Sequence, residues 1–367
     1  MDIPSYELAD DRVGAALVAL AAGRPVVVVD DADRENEGDI VFAASLATPQ
    51  LVAFTVRHTS GFVCVALPEQ ECARLDLPPM HHDNADRFRT AYRVTVDLAG
   101  TGTGISAASR AATIAALGSS TTTPRDLVRP GHVVPLMARA GGVLVRPGHT
   151  EAAVDLTRLA GLAPAGALCE IVSRDVPGEM ARGPELERFA AEHRLVLLSV
   201  ADIVAYRLRT EQQVQRVVST VLPTEFGPFH AVGYLGCTDG AEHMALVAGR
   251  LDAVDADVPV HIHTQCLSGD VLRSTLCGCR RSLDDALRRF SEDGCGIVVY
   301  LRPTGASAAC ALLDGALEPS PVLAAAADGI LADLRTRTPA AGPTNPRLDT
   351  LAAARARRTA GEQRIAG

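Results

Sequence analysis

Pro25 is followed by four valines, Val26 to Val29, and then by the segment Asp30 to Asp39, in which six of ten residues are acidic. A strand built only of β-branched apolar residues has no polar face to show to water, so it reads as a strand covered on both sides. The abrupt change to charge marks its end. Apolar segments at Val133 to Met137, Val143 to Val145 and Leu195 to Val200 alternate with helix-like stretches at Glu151 to Ala160 and Pro184 to His193. This predicts an α/β arrangement up to about residue 209. A first helix is expected from a cap at Asp10 or Asp11, with Val13, Leu17 and Leu20 on one face and Gly23 at its end.

The 367 residues exceed a typical single domain, so a second one is expected. Arg209 to Val218 reads as a polar connector or solvated helix. Beyond it, Phe229 to Leu235, Val258 to His263 and Gly296 to Leu301 read as strands. Glu242 to Arg250 and Ser282 to Phe290 read as helices. From about residue 335 the texture predicts a weakly ordered tail.

Composition excludes several functions. All 35 basic residues are arginine, which removes lysine Schiff-base chemistry, pyridoxal-phosphate attachment and the P-loop lysine. The formal charge of −9 argues against a nucleic-acid partner. No apolar run approaches the roughly 20 residues of a membrane span. The N-terminus lacks a signal-peptide pattern and the nine cysteines are odd in number, so a reducing, cytoplasmic setting is expected.

Carboxylates leaving a strand end suit a hard cation such as Mg²⁺, although a solvated surface turn is the plainer reading of a charge run. Two further segments favour the site: Arg129-Pro130-Gly131-His132 and Arg146-Pro147-Gly148-His149-Thr150-Glu151. Arginine, a threonine hydroxyl and free backbone N–H groups near a helix start make a grip for phosphate. Glu170, at the end of Leu168-Cys169-Glu170, is a carboxylate in an apolar strand, where burial would raise its pKa and suit it to proton transfer; the alternative is a solvent-facing edge residue. The glycine-rich Gly100 to Ser106 offers an anion nest, a weak signal alone.

DDADRENEGD, RHTSGFVCV, TGTGIS, RPGHVVPL, RPGHTEAAVDL and GALCEI stand in the order found in 3,4-dihydroxy-2-butanone 4-phosphate synthases, and the chain resembles that family over about residues 7 to 208. The resemblance implies an α+β sandwich and conversion of D-ribulose 5-phosphate to formate and 3,4-dihydroxy-2-butanone 4-phosphate. It implies Mg²⁺, or Mn²⁺ in its place, on Glu35 and His149. It places substrate contacts at Arg34, Glu35, Asp39, Arg146, Pro147, Gly148, His149, Thr150 and Glu170, with His132 and Glu170 as the essential acid–base pair. Asp39 is a further candidate for moving protons. A homodimer with residues of both subunits near each site is also implied. Ser109 departs from the family pattern, which has an aspartate there, and Pro147 replaces a smaller residue.

Cys266, Cys277 and Cys279 match a zinc site with an open position, or else three buried unliganded thiols. Their surroundings, from about Thr220 to Leu301, resemble GTP cyclohydrolase II, implying a second, smaller α/β-type domain. His261 and Gln265 stand where that family has arginine and glutamate, and Arg302 to Ala309 lacks its RQEGRGIGL-like segment. The expected division is a synthase domain over residues 1–209, a partial cyclohydrolase-like domain over 210–334 and the tail over 335–367. GTP hydrolysis is not expected of it. A bifunctional enzyme, or a non-catalytic zinc-bearing scaffold of the riboflavin pathway, are the alternatives.

Overall fold

The valine run forms β1 (Val26–Val29), with Val26 and Val28 in one apolar core and Val27 in another. This is a computed structural model, and it describes residues 5–249, 258–303 and 320–336, with side chains from Asp11 onward. The chain divides between Thr210 and Glu211 into two compact units.

In the first unit the chain runs α1 (Ser5–Ala21), β1, β2 (Gly38–Ala43), α2 (Pro49–His58), β3 (Cys64–Leu67), α3 (Glu69–Arg74), β4 (Val96–Leu98) and α4 (Ala107–Leu117). It continues through β5 (Leu127–Met137), α5 (His149–Leu159), β6 (Gly166–Glu170), α6 (Pro184–His193), β7 (Leu197–Ser199) and α7 (Val200–Thr210). The strands make one seven-stranded mixed sheet, ordered β4-β5-β3-β6-β2-β1-β7. Because side chains alternate along a strand, the sheet feeds two cores. Ile40, Phe42, Val65 and Ala167 pack with Val52 of α2, Ile114 of α4 and Leu186 of α6. Val41, Cys64 and Leu168 pack with Leu20 of α1, Leu156 of α5 and Ile203 of α7. The result is the expected α+β sandwich.

The second unit holds β8 (Val214–Thr224), β9 (Gly227–Gly236), β10 (Glu242–Ala248), β11 (Val260–Thr264), α8 (Cys279–Asp293), β12 (Gly296–Leu301) and α9 (Pro321–Thr336). Its sheet is ordered β11-β12-β10-β9-β8. Leu283, Leu287 and Phe290 of α8 pack on one face with Phe229, Leu246 and Val298. Leu323, Ile330 and Leu334 of α9 pack on the other with Val232, Val247 and Val299.

Several expectations are corrected. Glu242 to Arg250 contains helix formers, but Glu242–Ala248 is a central strand laddered to both β9 and β12, and tertiary pairing overrides local propensity. Arg209 to Val218 is the end of α7 followed by β8, whose polarity reflects its place at the sheet edge. Val143 to Val145 is not a strand: Gly141, at φ 89°, starts a short turn whose Val143 N–H donates to Asp155. The first helix begins before its expected cap. Arg335 and Thr336 close α9, and the rest of the expected tail, residues 337–367, lies outside the described residues.

Candidate active site

The acidic loop leaves β1 and returns as β2, and buried Asp30 organises it. Its carboxylate accepts from the Arg34 guanidinium at 2.8 Å and from the N–H groups of Glu35 and Glu37 at 3.1 and 3.0 Å. Arg34 also reaches Glu35 at 2.8 Å and lies over the Phe88 ring at 5.0 Å. The charge run is therefore a turn ordered and partly neutralised through Asp30 and Arg34, with Asp31 and Asp33 left exposed to solvent.

Glu35 Oε2 lies 3.5 Å from Nδ1 of His149, the first residue of α5, and the two with Asp30 form a cluster able to hold a metal ion. Burial would raise the Glu35 pKa, but His149 and Arg34 outweigh it and hold the carboxyl below its usual range. Burial likewise disfavours a charged His149, yet the carboxylates of Asp39 and Glu35 push its pKa up to about 9. Asp39 is 2 % exposed, and burial first, with Glu170, Glu35 and Glu37 behind it, pushes its pKa up to about 7 against the pull of His149.

Two buried atoms here, Nε2 of His149 and Oδ1 of Asp39, have no hydrogen-bond partner. Such orphans in a folded interior signal a missing polar occupant. The imidazole of His149, once a cation displaces its proton, and the carboxylates of Asp30 and Glu35 are donors that a hard divalent cation accepts, so the residues fit the expected Mg²⁺.

Asp39 stands directly opposite Glu170 in the β2–β6 ladder. Glu170 ends its strand, is half-buried and accepts from the Ser60 hydroxyl at 2.7 Å. The expectation of a buried Glu170 is therefore not met, because β6 ends there and the side chain is only half-buried; the fully buried carboxylate of this pair is Asp39. Arg146 donates to buried Glu151 at 2.6 Å and to the Phe88 carbonyl at 3.0 Å. Pro147 is exposed, Gly148 caps α5, and Thr150 is buried in its first turn. A Cβ on Gly148 would fall 2.6 Å from Arg146 and 3.0 Å from Arg34, so this glycine lets both guanidinium groups pack close to the start of α5.

His132 is not hydrogen-bonded to any of these groups; its ring binds Asp97 at 2.7 Å. Gly104 of the glycine-rich loop packs against that pair while Gly100 and Gly102 face open space, and Ser109 ties the loop down by donating to the Thr101 carbonyl at 2.7 Å. Sequence reasoning passed over Asp97, Ser60, Phe88 and Glu151. Of these only Asp97, an acid in an otherwise apolar strand, carried a signal.

In the second unit Cys266 and Cys277 place their sulfurs 3.9 Å apart, and Cys279 completes a cluster within 4.8 Å. The Gly269 N–H donates to Cys266 Sγ at 3.3 Å. Three converging sulfurs fit zinc. Beside them Asp270 accepts from Tyr300 and from the Cys266 N–H, each at 2.8 Å, and lies 3.0 Å from His263. Burial would raise the Asp270 pKa, but these hydrogen bonds lower it. Gln265 accepts from Arg302 at 3.2 Å, and Arg302 binds Glu242 at 2.6 Å. Thr304 to Ala309 lies outside the described residues. Among the described residues no helix is long and apolar enough to cross a membrane.

Comparison with known proteins places this geometry. The family model of 3,4-dihydroxy-2-butanone 4-phosphate synthase matches residues 14–206, and that of GTP cyclohydrolase II matches 215–341. The riboflavin biosynthesis protein RibBA of Salinispora arenicola is 61 % identical over 288 residues, 78 % of this chain and 68 % of that one. RibBA of Rhodococcus jostii is 53 % identical over 80 % of this chain and 71 % of its own. Among solved structures, RibBX, a two-domain 3,4-dihydroxy-2-butanone 4-phosphate synthase from A. baumannii, is 34 % identical with a TM-score of 0.73, covering 90 % of this chain and 95 % of that one. A 3,4-dihydroxy-2-butanone 4-phosphate synthase in complex with two magnesium ions is 42 % identical with a TM-score of 0.52, covering 54 % and 97 %.

Proposed function

The chain belongs to the 3,4-dihydroxy-2-butanone 4-phosphate synthase family of riboflavin biosynthesis, and from that premise we propose that its first unit is a Mg²⁺-dependent lyase acting on D-ribulose 5-phosphate. The observation that carries this reading is the cluster of Asp30, Glu35 and His149, whose ligand atoms lie within 4.8 Å of one another and in which buried Nε2 of His149 has no hydrogen-bond partner.

The reaction takes a five-carbon ketose phosphate to formate and a four-carbon hydroxyketone phosphate, with no other reactant needed to balance atoms. It requires removal of a C–H proton beside a carbonyl, loss of a hydroxyl and migration of carbon. Glu35 and His149 would hold the cation, which supplies polarisation of the substrate carbonyl and its neighbouring oxygen. Asp39, its pKa pushed up to about 7, gives and takes protons at neutral pH without a large energetic cost. Glu170, oriented by Ser60, stands beside it as the second carboxylate. Arg34 and Arg146 gather at Gly148, and the start of α5 offers N–H groups for the substrate's phosphate. The family resemblance makes His132, whose ring binds Asp97, the partner of Glu170 in acid–base work.

The second unit is proposed to hold zinc on Cys266, Cys277 and Cys279 without hydrolysing GTP. Support comes from His261 and Gln265, which cannot replace an arginine and a glutamate at a triphosphate, and from Arg302, engaged by Glu242 and Gln265. The intact thiol cluster and the relatives named RibBA favour the second reading, a bifunctional enzyme. One experiment separates them: product analysis with ribulose 5-phosphate and with GTP, each with and without chelator, alongside metal analysis. Chelator-sensitive formation of formate and the butanone phosphate, with no formate from GTP, is expected. Absence of the first product overturns the lyase; GTP-derived formate overturns the inactive second unit.

A further inference from the structure

We propose that Phe88 is a positioning residue of the phosphate grip: its ring seats Arg34 and leaves one edge of that guanidinium free for the anionic end of the substrate. The inference deepens, and rests on, the reading of Arg34 and Arg146 as groups that meet the substrate's phosphate.

Two like charges crowd the start of α5. Arg146 Nη1 and Arg34 Nη2 stand 2.6 and 3.0 Å from the one point that a Cβ on Gly148 would occupy. Cations so placed repel each other, so each needs its own anchor. Arg146 binds Glu151 through Nη1, and its Nη2 donates to the Phe88 carbonyl at 3.0 Å. Arg34 uses Nη1 for both Asp30 and Glu35, each at 2.8 Å. Among the described residues no hydrogen bond or ion pair engages its Nη2. Its guanidinium carbon instead lies over the Phe88 ring, 5.0 Å from the centroid. Phe88 thus touches both arginines, one through its carbonyl and the other through its ring.

An aromatic face attracts a cation through its charge and occupies none of the N–H donors. A carboxylate in the same place would take up Nη2 and cancel the charge that an incoming anion needs. The ring therefore steadies Arg34 without competing with phosphate. Phe88 is half-buried and belongs to neither apolar core of the first unit, so filling a core does not explain it. Its loop is braced to deliver it. Asp86 accepts from the N–H groups of Phe88 and Thr90 at 3.0 and 2.9 Å. Asn84 accepts from the Asp86 N–H and donates to the Thr90 carbonyl, each at 2.9 Å. Exposed Arg87 shares the ring at 5.2 Å.

The test uses the full chain. Phe88→Leu keeps an apolar side chain and removes the aromatic face, whereas Phe88→Tyr keeps the face. With Mg²⁺ bound, Phe88→Leu is expected to raise KM for ribulose 5-phosphate about 10-fold while kcat stays within about twofold. Phe88→Tyr is expected to restore KM to within about twofold of the wild type. In the Arg34→Met background Phe88→Leu is expected to change KM by less than about twofold, since no guanidinium remains to seat. An unchanged KM in Phe88→Leu overturns the proposal, as does a loss confined to kcat or an equal loss with and without Arg34. So does the absence of a nuclear Overhauser contact between the Phe88 ring and the Arg34 side chain in the assigned wild type, which needs no variant to fold. Calorimetry with inorganic phosphate and chelated protein is expected to show binding about 10-fold weaker in Phe88→Leu. That difference together with the ring contact, in a wild type that does not turn over ribulose 5-phosphate, supports the seating of Arg34 and sinks the synthase reading alone.

Discussion

Asp39 and Glu170 face each other across one rung of an antiparallel ladder, yet one is sealed in the protein and the other reaches the rim. The pair gives the site two carboxyl groups of different character from two adjacent strands.

Replacing Asp39 with asparagine keeps the shape and removes the acid. We expect kcat for ribulose 5-phosphate to fall at least about 100-fold. Thermal stability of the chelated protein at pH 8 is expected to hold or rise, because a buried carboxylate with an unpartnered oxygen is removed. Steady-state kinetics and melting curves check both.

The pH dependence of stability follows from the same group. The Asp39 pKa rises from 3.8 to about 7 and that of His149 from 6.5 to about 9. For both, the folded state binds more protons than the unfolded one, so their contribution is fully present in acid and is lost as pH rises. The two titrate as a coupled pair. Chelated wild type is expected to lose stability relative to Asp39→Asn between about pH 4 and 7, and Mg²⁺ to reduce that loss. Denaturant melts across the range would show a parallel pair of curves if the expectation fails.

Asp155 on α5 accepts from Arg207 on α7 at 2.7 Å, and both are buried. It also accepts from the Val143 N–H at 2.9 Å. Arg207→Met strands a buried charge and is expected to cost about 3 kcal/mol or more. Adding Asp155→Leu should recover part of that loss. Urea unfolding of the single and double variants measures it.

Cys277→Ser is expected to drop bound zinc from one equivalent per chain to a small fraction, because it removes one of only three sulfur ligands. Elemental analysis reads this directly. Retention of a full equivalent would relocate the zinc.

The sequence disclosed what chemistry demands locally. Four valines required cover on both faces, and the acidic run, the two Pro-Gly-His segments and the three cysteines announced donor sets before any contact was known. What it hid depended on partners distant along the chain. Glu242–Ala248 reads as a helix until β9 and β12 claim it. Which of Asp39 and Glu170 is buried depends on where β6 stops. The bond between Asp97 and His132 spans a strand register that no local pattern encodes.

The helix α9 has one more consequence. Its leucines, isoleucine and alanines are the lid on Val232, Val247 and Val299. A chain cut at residue 303 would therefore present a naked apolar sheet face to solvent, and such a face invites self-association.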